Sequence, residues 1–128
     1  MSADSDAHFD EIVAAAFIAL PDVYREACDG LAIRTEPHAS HDVLRALDID
    51  QPSQLLGLYH GINLARKSVF DLPAAPDEVI IYREPIRAYA RATGSPLADV
   101  IKHVLVHEVG HHFGFSDDDM EAIENREA

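Results

Sequence analysis

From residue 107 to residue 117 the chain reads His-Glu-Val-Gly-His-His-Phe-Gly-Phe-Ser-Asp, with two imidazoles four residues apart and a carboxylate directly after the first. Helical residues four apart project from one side, so His107 and His111 can offer ring nitrogens to a single cation. Glu108, one step round the helix, leans beside that pair, where it can take a proton from a water held by the ion. Gly114 and Asp117 complete the pattern H-E-x-x-H-x-x-G-x-x-D. A glycine at 114 can end a helix in the left-handed conformation and turn the chain back, which makes Asp117 the expected third ligand, with Asp118 and Asp119 as substitutes. The same acids after Ser116 also fit the capped first turn of a final helix. Two imidazoles and a carboxylate suit zinc, and they also accommodate iron, manganese or cobalt. A fourth position left to water, with Glu108 as general base, makes amide hydrolysis the expected chemistry.

The length of the pattern decides how much it means. With 8 histidines in 128 residues, shuffling this composition gives H-E-x-x-H in roughly 3% of chains. Requiring the glycine and the acid as well lowers chance to roughly a few in ten thousand. The extended motif therefore outweighs the bland reading, in which these are core histidines bonded to backbone carbonyls.

The helix that must carry these residues has its own signals. Ser95 can accept from the first unpaired amides, Pro96 fits the first helical position, and Gly114 supplies the stop, so a helix is expected from about Pro96 to Phe113. Leu97, Val100, Ile101, Val104 and Leu105 form one apolar stripe at helical period, and His107, Glu108 and His111 prolong it, facing inward. Burying such a cluster opposes folding unless a cation satisfies it. His112 leaves the helix some hundred degrees from His111 and is expected to pack or to orient a neighbour. His103 is expected on the opposite side, facing solvent. His38, His41 and His60 lie in or beside loops, and only His60, at a strand end, is placed to reach a cleft.

The run from His107 to Asp117 resembles the minimal zincin-like metallopeptidase family, small bacterial proteins that carry H-E-x-x-H-H-F-G-x-x-D near the C-terminus. Weaker similarity extends to Ala19-Leu20-Pro21, to Leu55-Leu56-Gly57-Leu58-Tyr59-His60-Gly61 and to Pro76-Asp77-Glu78-Val79-Ile80-Ile81-Tyr82-Arg83. The resemblance implies a stripped-down zincin fold, with the metal-binding helix under a small sheet, zinc as the ion and peptide hydrolysis as the activity.

Composition fits one domain over residues 1–128: 48% hydrophobic content is ample for a core, and the length leaves no room for a second one. A net charge of −13 repels nucleic acid and anionic lipid, so neither is an expected partner. The first ten residues hold no lysine or arginine, and the apolar run from Ile12 to Leu20 is too short to span a bilayer, which makes a cytoplasmic protein the expectation. Cys28 stands alone and is expected to pack rather than react.

Periodicity and turn signals predict a first helix from His8 to Leu20, resumed from Asp22 to Cys28. A strand is predicted from Leu31 to Glu36, then a short helix to Leu47 capped by Ser40. Gln54 to His60 reads as a second strand, Asn63 to Pro76 as a loop or hairpin, Glu78 to Arg83 as the clearest strand, and Ile86 to Thr93 as helical. The class is α+β, a small mixed sheet packed against helices. The oxyanion formed on the carbonyl oxygen as water adds needs a donor, for which Tyr59, Tyr82 and Arg83 are the candidates. Too little chain follows Asp117 for a second lobe, so a shallow cleft and a slow or partner-dependent peptidase are expected. The alternative is a noncatalytic metal-binding or protein-interaction module that retains the zincin fold.

Overall fold

The computed structural model describes residues 5–28, 30–61 and 77–114. Helix α1 (Asp6–Ile18) begins two residues before the expected His8 because Ser5 caps it, its side-chain oxygen accepting the His8 N–H at 3.1 Å. Phe9 and Val13, four residues apart, are buried, and Ile12, Ala16 and Phe17 pack on the same core. The helix stops short of Pro21. Helix α2 (Asp22–Ala27) then sends the Arg25 guanidinium back to donate to the Ile18 carbonyl at 2.7 Å and the Leu20 carbonyl at 3.3 Å, acceptors that the end of α1 leaves over.

Strands β1 (Ala32–Glu36), β2 (Gly57–His60) and β3 (Glu78–Tyr82) form a mixed sheet in the order β1-β3-β2. Strand β1 runs parallel to β3, and β2 runs antiparallel to it with Gly57 opposite Ile81 and Tyr59 opposite Val79. The continuous apolar run Val79-Ile80-Ile81-Tyr82 follows from the central position of β3, since both of its faces are covered. Val79 and Ile81 join the main core with α1, helix α4 (Arg83–Thr93) and helix α5 (Leu97–His112), whereas Ile80 and Tyr82 join a smaller cluster with Ala39 and with Leu44 of helix α3 (His41–Ala46). Ser40 caps α3 as the spacing predicts, accepting the Val43 N–H at 3.2 Å. A 3-10 turn over Pro52–Gln54 delays β2, so the strand expected from Gln54 begins at Gly57.

The predicted order of elements holds across the described residues, and the class is α+β with the metal-motif helix at the C-terminal end of the described chain. One further boundary and one cap are corrected. Helix α4 starts at Arg83 rather than Ile86 and takes Pro85 into its first turn, where a missing N–H leaves no bond unmade. Gly94, in the left-handed conformation, ends α4 with its own N–H and that of Ser95 on the Ala90 carbonyl. Ser95 is thereby drawn into closing α4 and makes no side-chain cap on α5; its hydroxyl pairs with Thr93 at 2.9 Å, and Pro96 opens α5 through its carbonyl alone. The loop expected over Asn63–Pro76 and the helix expected after Ser116 lie outside the described residues. Among the described residues, no helix is long and apolar enough to cross a membrane.

Helix α5 packs against α1, α4, β2 and β3 through Val100, Ile101, Val104, Leu105 and Val109. Leu105 is fully buried, and truncating it removes contacts on every side. Leu105→Ala is expected to lower unfolding free energy in urea by about 2–5 kcal/mol, while Leu47→Ala, at a side chain 44% exposed, changes it by less than about 0.5 kcal/mol.

Candidate metal centre

The core contacts of α5 hold its last two turns in place. Phe113 closes the helix with its N–H on the Val109 and Gly110 carbonyls, and Gly114 follows at φ +87° with its N–H on the His111 carbonyl at 3.0 Å. That is the left-handed stop expected of Gly114.

On this frame the structure brings His107, Glu108 and His111 together. Each offers one ligand atom, and the three atoms lie within 4.8 Å of one another. The rings of His107 and His111 stand edge to face at 84°, their centres 5.0 Å apart. Two bonds of about 2.1 Å from one tetrahedral ion, continued to the ring centres, separate a pair of imidazoles by roughly 5 Å. The spacing thus suits a shared cation. Asp117, the expected third ligand, and its substitutes Asp118 and Asp119 lie outside the described residues.

The three side chains do not face fully inward as the apolar stripe predicts. They are half-buried, and Val109 and His112 carry the core onward along the other margin of the stripe. Helical period sets the angle at which a side chain leaves the axis; what stands at that angle is a matter of tertiary packing.

His103 is exposed as expected but is not on the opposite side. It precedes His107 by four residues, so the two rings share a side and stack at 28° with centres 6.4 Å apart. His60 ends β2 opposite Glu78, on the sheet face that Gly57 and Tyr59 do not use, and His38 and His41 are exposed.

His112 has the clearest structural task. Only 2% exposed, it places Nδ1 at 3.1 Å from the Tyr59 hydroxyl and at 3.5 Å from Oδ2 of Asp77, itself 8% exposed. The Tyr59 hydroxyl donates to the same Asp77 oxygen at 3.0 Å. With that proton committed to Asp77, the Tyr59 oxygen accepts from His112, so Nδ1 is the protonated nitrogen. This network joins the last turn of α5 to the end of β2 and to the residue before β3. Asp77 reads in the sequence only as part of a turn, and its one signal is the acid next to Pro76. Gly61 passes so close over the carboxylate that a Cβ there would overlap it.

None of the three candidate oxyanion donors stands free for that role. Tyr59 is engaged with Asp77 and His112. Arg83 donates to Thr35 Oγ1 at 2.8 Å and pairs with Asp6 at 3.3 Å, which ties it to the start of α1. Tyr82 is 1% exposed in the smaller cluster, where burial pushes its phenol up despite the opposing pull of Arg34.

Burial, then the hydrogen bond to Asp77 and the charge of that carboxylate, raise the Tyr59 phenol well above its ordinary range. A raised acid of this kind contributes stability that is complete below its unfolded value, about 10, and is lost as pH climbs past it. Tyr59→Phe is expected to cost about 1–2 kcal/mol at pH 7, and to flatten the alkaline fall in stability when urea unfolding is followed across a pH series.

Comparison with known proteins adds to the geometry. No curated protein matches the chain. The profile of the zincin-like metallopeptidases matches residues 28–127, which take in the whole sheet, α3, α4, α5 and the motif. That family implies a divalent metal, typically zinc, and the His-Glu-His cluster is the group on α5 suited to one. With its sheet, the helix that carries the H-E-x-x-H motif and most of its length accounted for, the chain belongs to the zincin-like metallopeptidase family.

Proposed function

We propose that this protein is a zinc-dependent metallopeptidase in which His107, His111 and Asp117 hold the ion and Glu108 is the general base. The convergence of two imidazoles and a carboxylate on one half-buried helix face carries this reading. The donor set fits the ion, since neutral imidazole nitrogens are ligands that zinc favours and the ring spacing is right for two of them. When bound, zinc supplies Lewis acidity, lowering the proton affinity of a water and polarising a carbonyl.

The residues of the chain have separate tasks around that chemistry. His107 and His111 present ring nitrogens from a helix whose position the core determines. Glu108 accepts the proton of the attacking water on a carboxylate oxygen and returns it to the departing nitrogen. The carbon–nitrogen bond breaks, the carbonyl carbon gains the oxygen of water, the second water proton passes to the released amine, and the products are a carboxylate and an ammonium group. Half-burial leaves the three side chains within reach of an extended peptide, so the substrate is a peptide or protein chain. The net charge of −13 disfavours nucleic acid as an alternative.

Glu108→Gln separates catalysis from binding. Peptide cleavage is expected to fall roughly 10²- to 10⁴-fold while zinc content, read by mass spectrometry on untagged protein, stays at the wild-type value. His107→Ala and His111→Ala are expected to lose the zinc, and Asp117→Ala to weaken its binding where Asp118→Ala and Asp119→Ala do not. Unchanged cleavage in Glu108→Gln sinks the general-base role. Bound zinc with no cleavage in the wild type is the outcome expected of a noncatalytic module.

A further inference from the structure

We propose that Gly57 is a positioning residue for Glu108: the missing side chain lets the backbone of β2 lie against the stem of the glutamate and hold its carboxylate on the cation side. This inference rests on the general-base reading above. Gly57 is buried, and its φ is not among the positive values found at Gly30, Gly61, Gly94 and Gly114. An ordinary residue could adopt its backbone conformation, so the glycine is there for space.

The space has identifiable owners. A Cβ on Gly57 would sit 2.7 Å from Cγ1 of Val104, 3.2 Å from Cγ of Glu108 and 3.4 Å from the Ile80 carbonyl oxygen. The alternation of β2 accounts for the direction, because Gly57 and Tyr59 point to the α5 side of the sheet while Leu58 points to the smaller cluster. Val104 lies one turn before Glu108 on α5, so strand and helix meet where the core ends and the polar cluster begins.

Contact at Cγ matters for chemistry. The Cγ position fixes the direction in which a glutamate stem leaves the helix, and a wall beside it removes rotamers that would swing the carboxylate toward the strand. A general base works only within hydrogen-bond reach of its proton, and a displacement of about 1 Å costs roughly 10²-fold in rate. A strand packed on the stem supplies that restraint.

The test separates crowding of Val104 from displacement of Glu108. Gly57→Ala, Val104→Ala and the double variant Gly57→Ala/Val104→Ala are compared for urea stability, zinc affinity, peptide turnover and the 13C resonance of the Glu108 carboxyl, identified as the one absent from Glu108→Gln. The double variant relieves the 2.7 Å contact and is expected to recover stability lost in Gly57→Ala. Its kcat is expected to stay roughly 10²-fold down, with zinc affinity and KM near wild type and the Glu108 resonance shifted, while Val104→Ala alone keeps wild-type turnover and resonance. A double variant as stable as Val104→Ala, with its kcat and an unmoved Glu108 resonance, overturns the proposal. If the wild type cleaves no peptide, the peptidase reading fails by itself, and the carboxyl resonance, which needs neither metal nor turnover, decides the role of Gly57.

Discussion

Helix α5 must be a core element and carry the polar His-Glu-His cluster on neighbouring residues, and everything else in the structure accommodates that division. Val100, Ile101, Val104, Leu105 and Val109 are buried against α1, α4 and the sheet, each contributing about 1.5–3 kcal/mol by leaving water. His107, Glu108 and His111 belong to the same turns, and full burial of their polar groups would oppose folding. The helix resolves the conflict by leaving the core along one margin only, so that the three polar side chains are half-buried while Val109 and His112 stay inside.

Two devices keep the exposed margin in register with the rest. The first is the bonding of His112 to Tyr59 and Asp77, which ties the last turn of α5 to β2 and to the residue before β3 through a buried imidazole and carboxylate and a half-buried phenol. Buried hydrogen bonds of this kind rigidify because leaving any partner unpaired is costly. The second is the close seating of β2 on Val104 and Glu108 across Gly57. One device works at the end of the helix and the other a turn earlier, on either side of the imidazole pair. At the far side of the core, Asp6 bridges Arg83 and Arg87, whose guanidinium also lies 5.2 Å from the centre of the Phe9 ring, and so fastens α1 to the start of α4.

Much of this was legible residue by residue. The run Val79-Ile80-Ile81-Tyr82 between prolines announces a strand, while its central place in the sheet comes from its pairing with β1 on one side and β2 on the other. Ser40 before an amphipathic turn predicts its own cap. Where neighbouring signals compete, local reading fails. Ser95 and Pro96 look like a helix start, yet Gly94 closes the preceding helix first and takes the Ser95 amide with it. His103 departs from its expected side for a simpler reason, since four residues bring a helix almost back to the same side as His107.

The sequence by itself determined the identity and spacing of the donors, because i, i+4 geometry is a property of any helix and needs no tertiary partner. It determined the α+β class as well, through periods that local backbone geometry imposes. Only the tertiary structure decided which margin of α5 opens, that Tyr59 serves Asp77 and His112 rather than a substrate, and why position 57 lacks a side chain. Those depend on contacts between segments distant in the chain, whose distances no local period encodes.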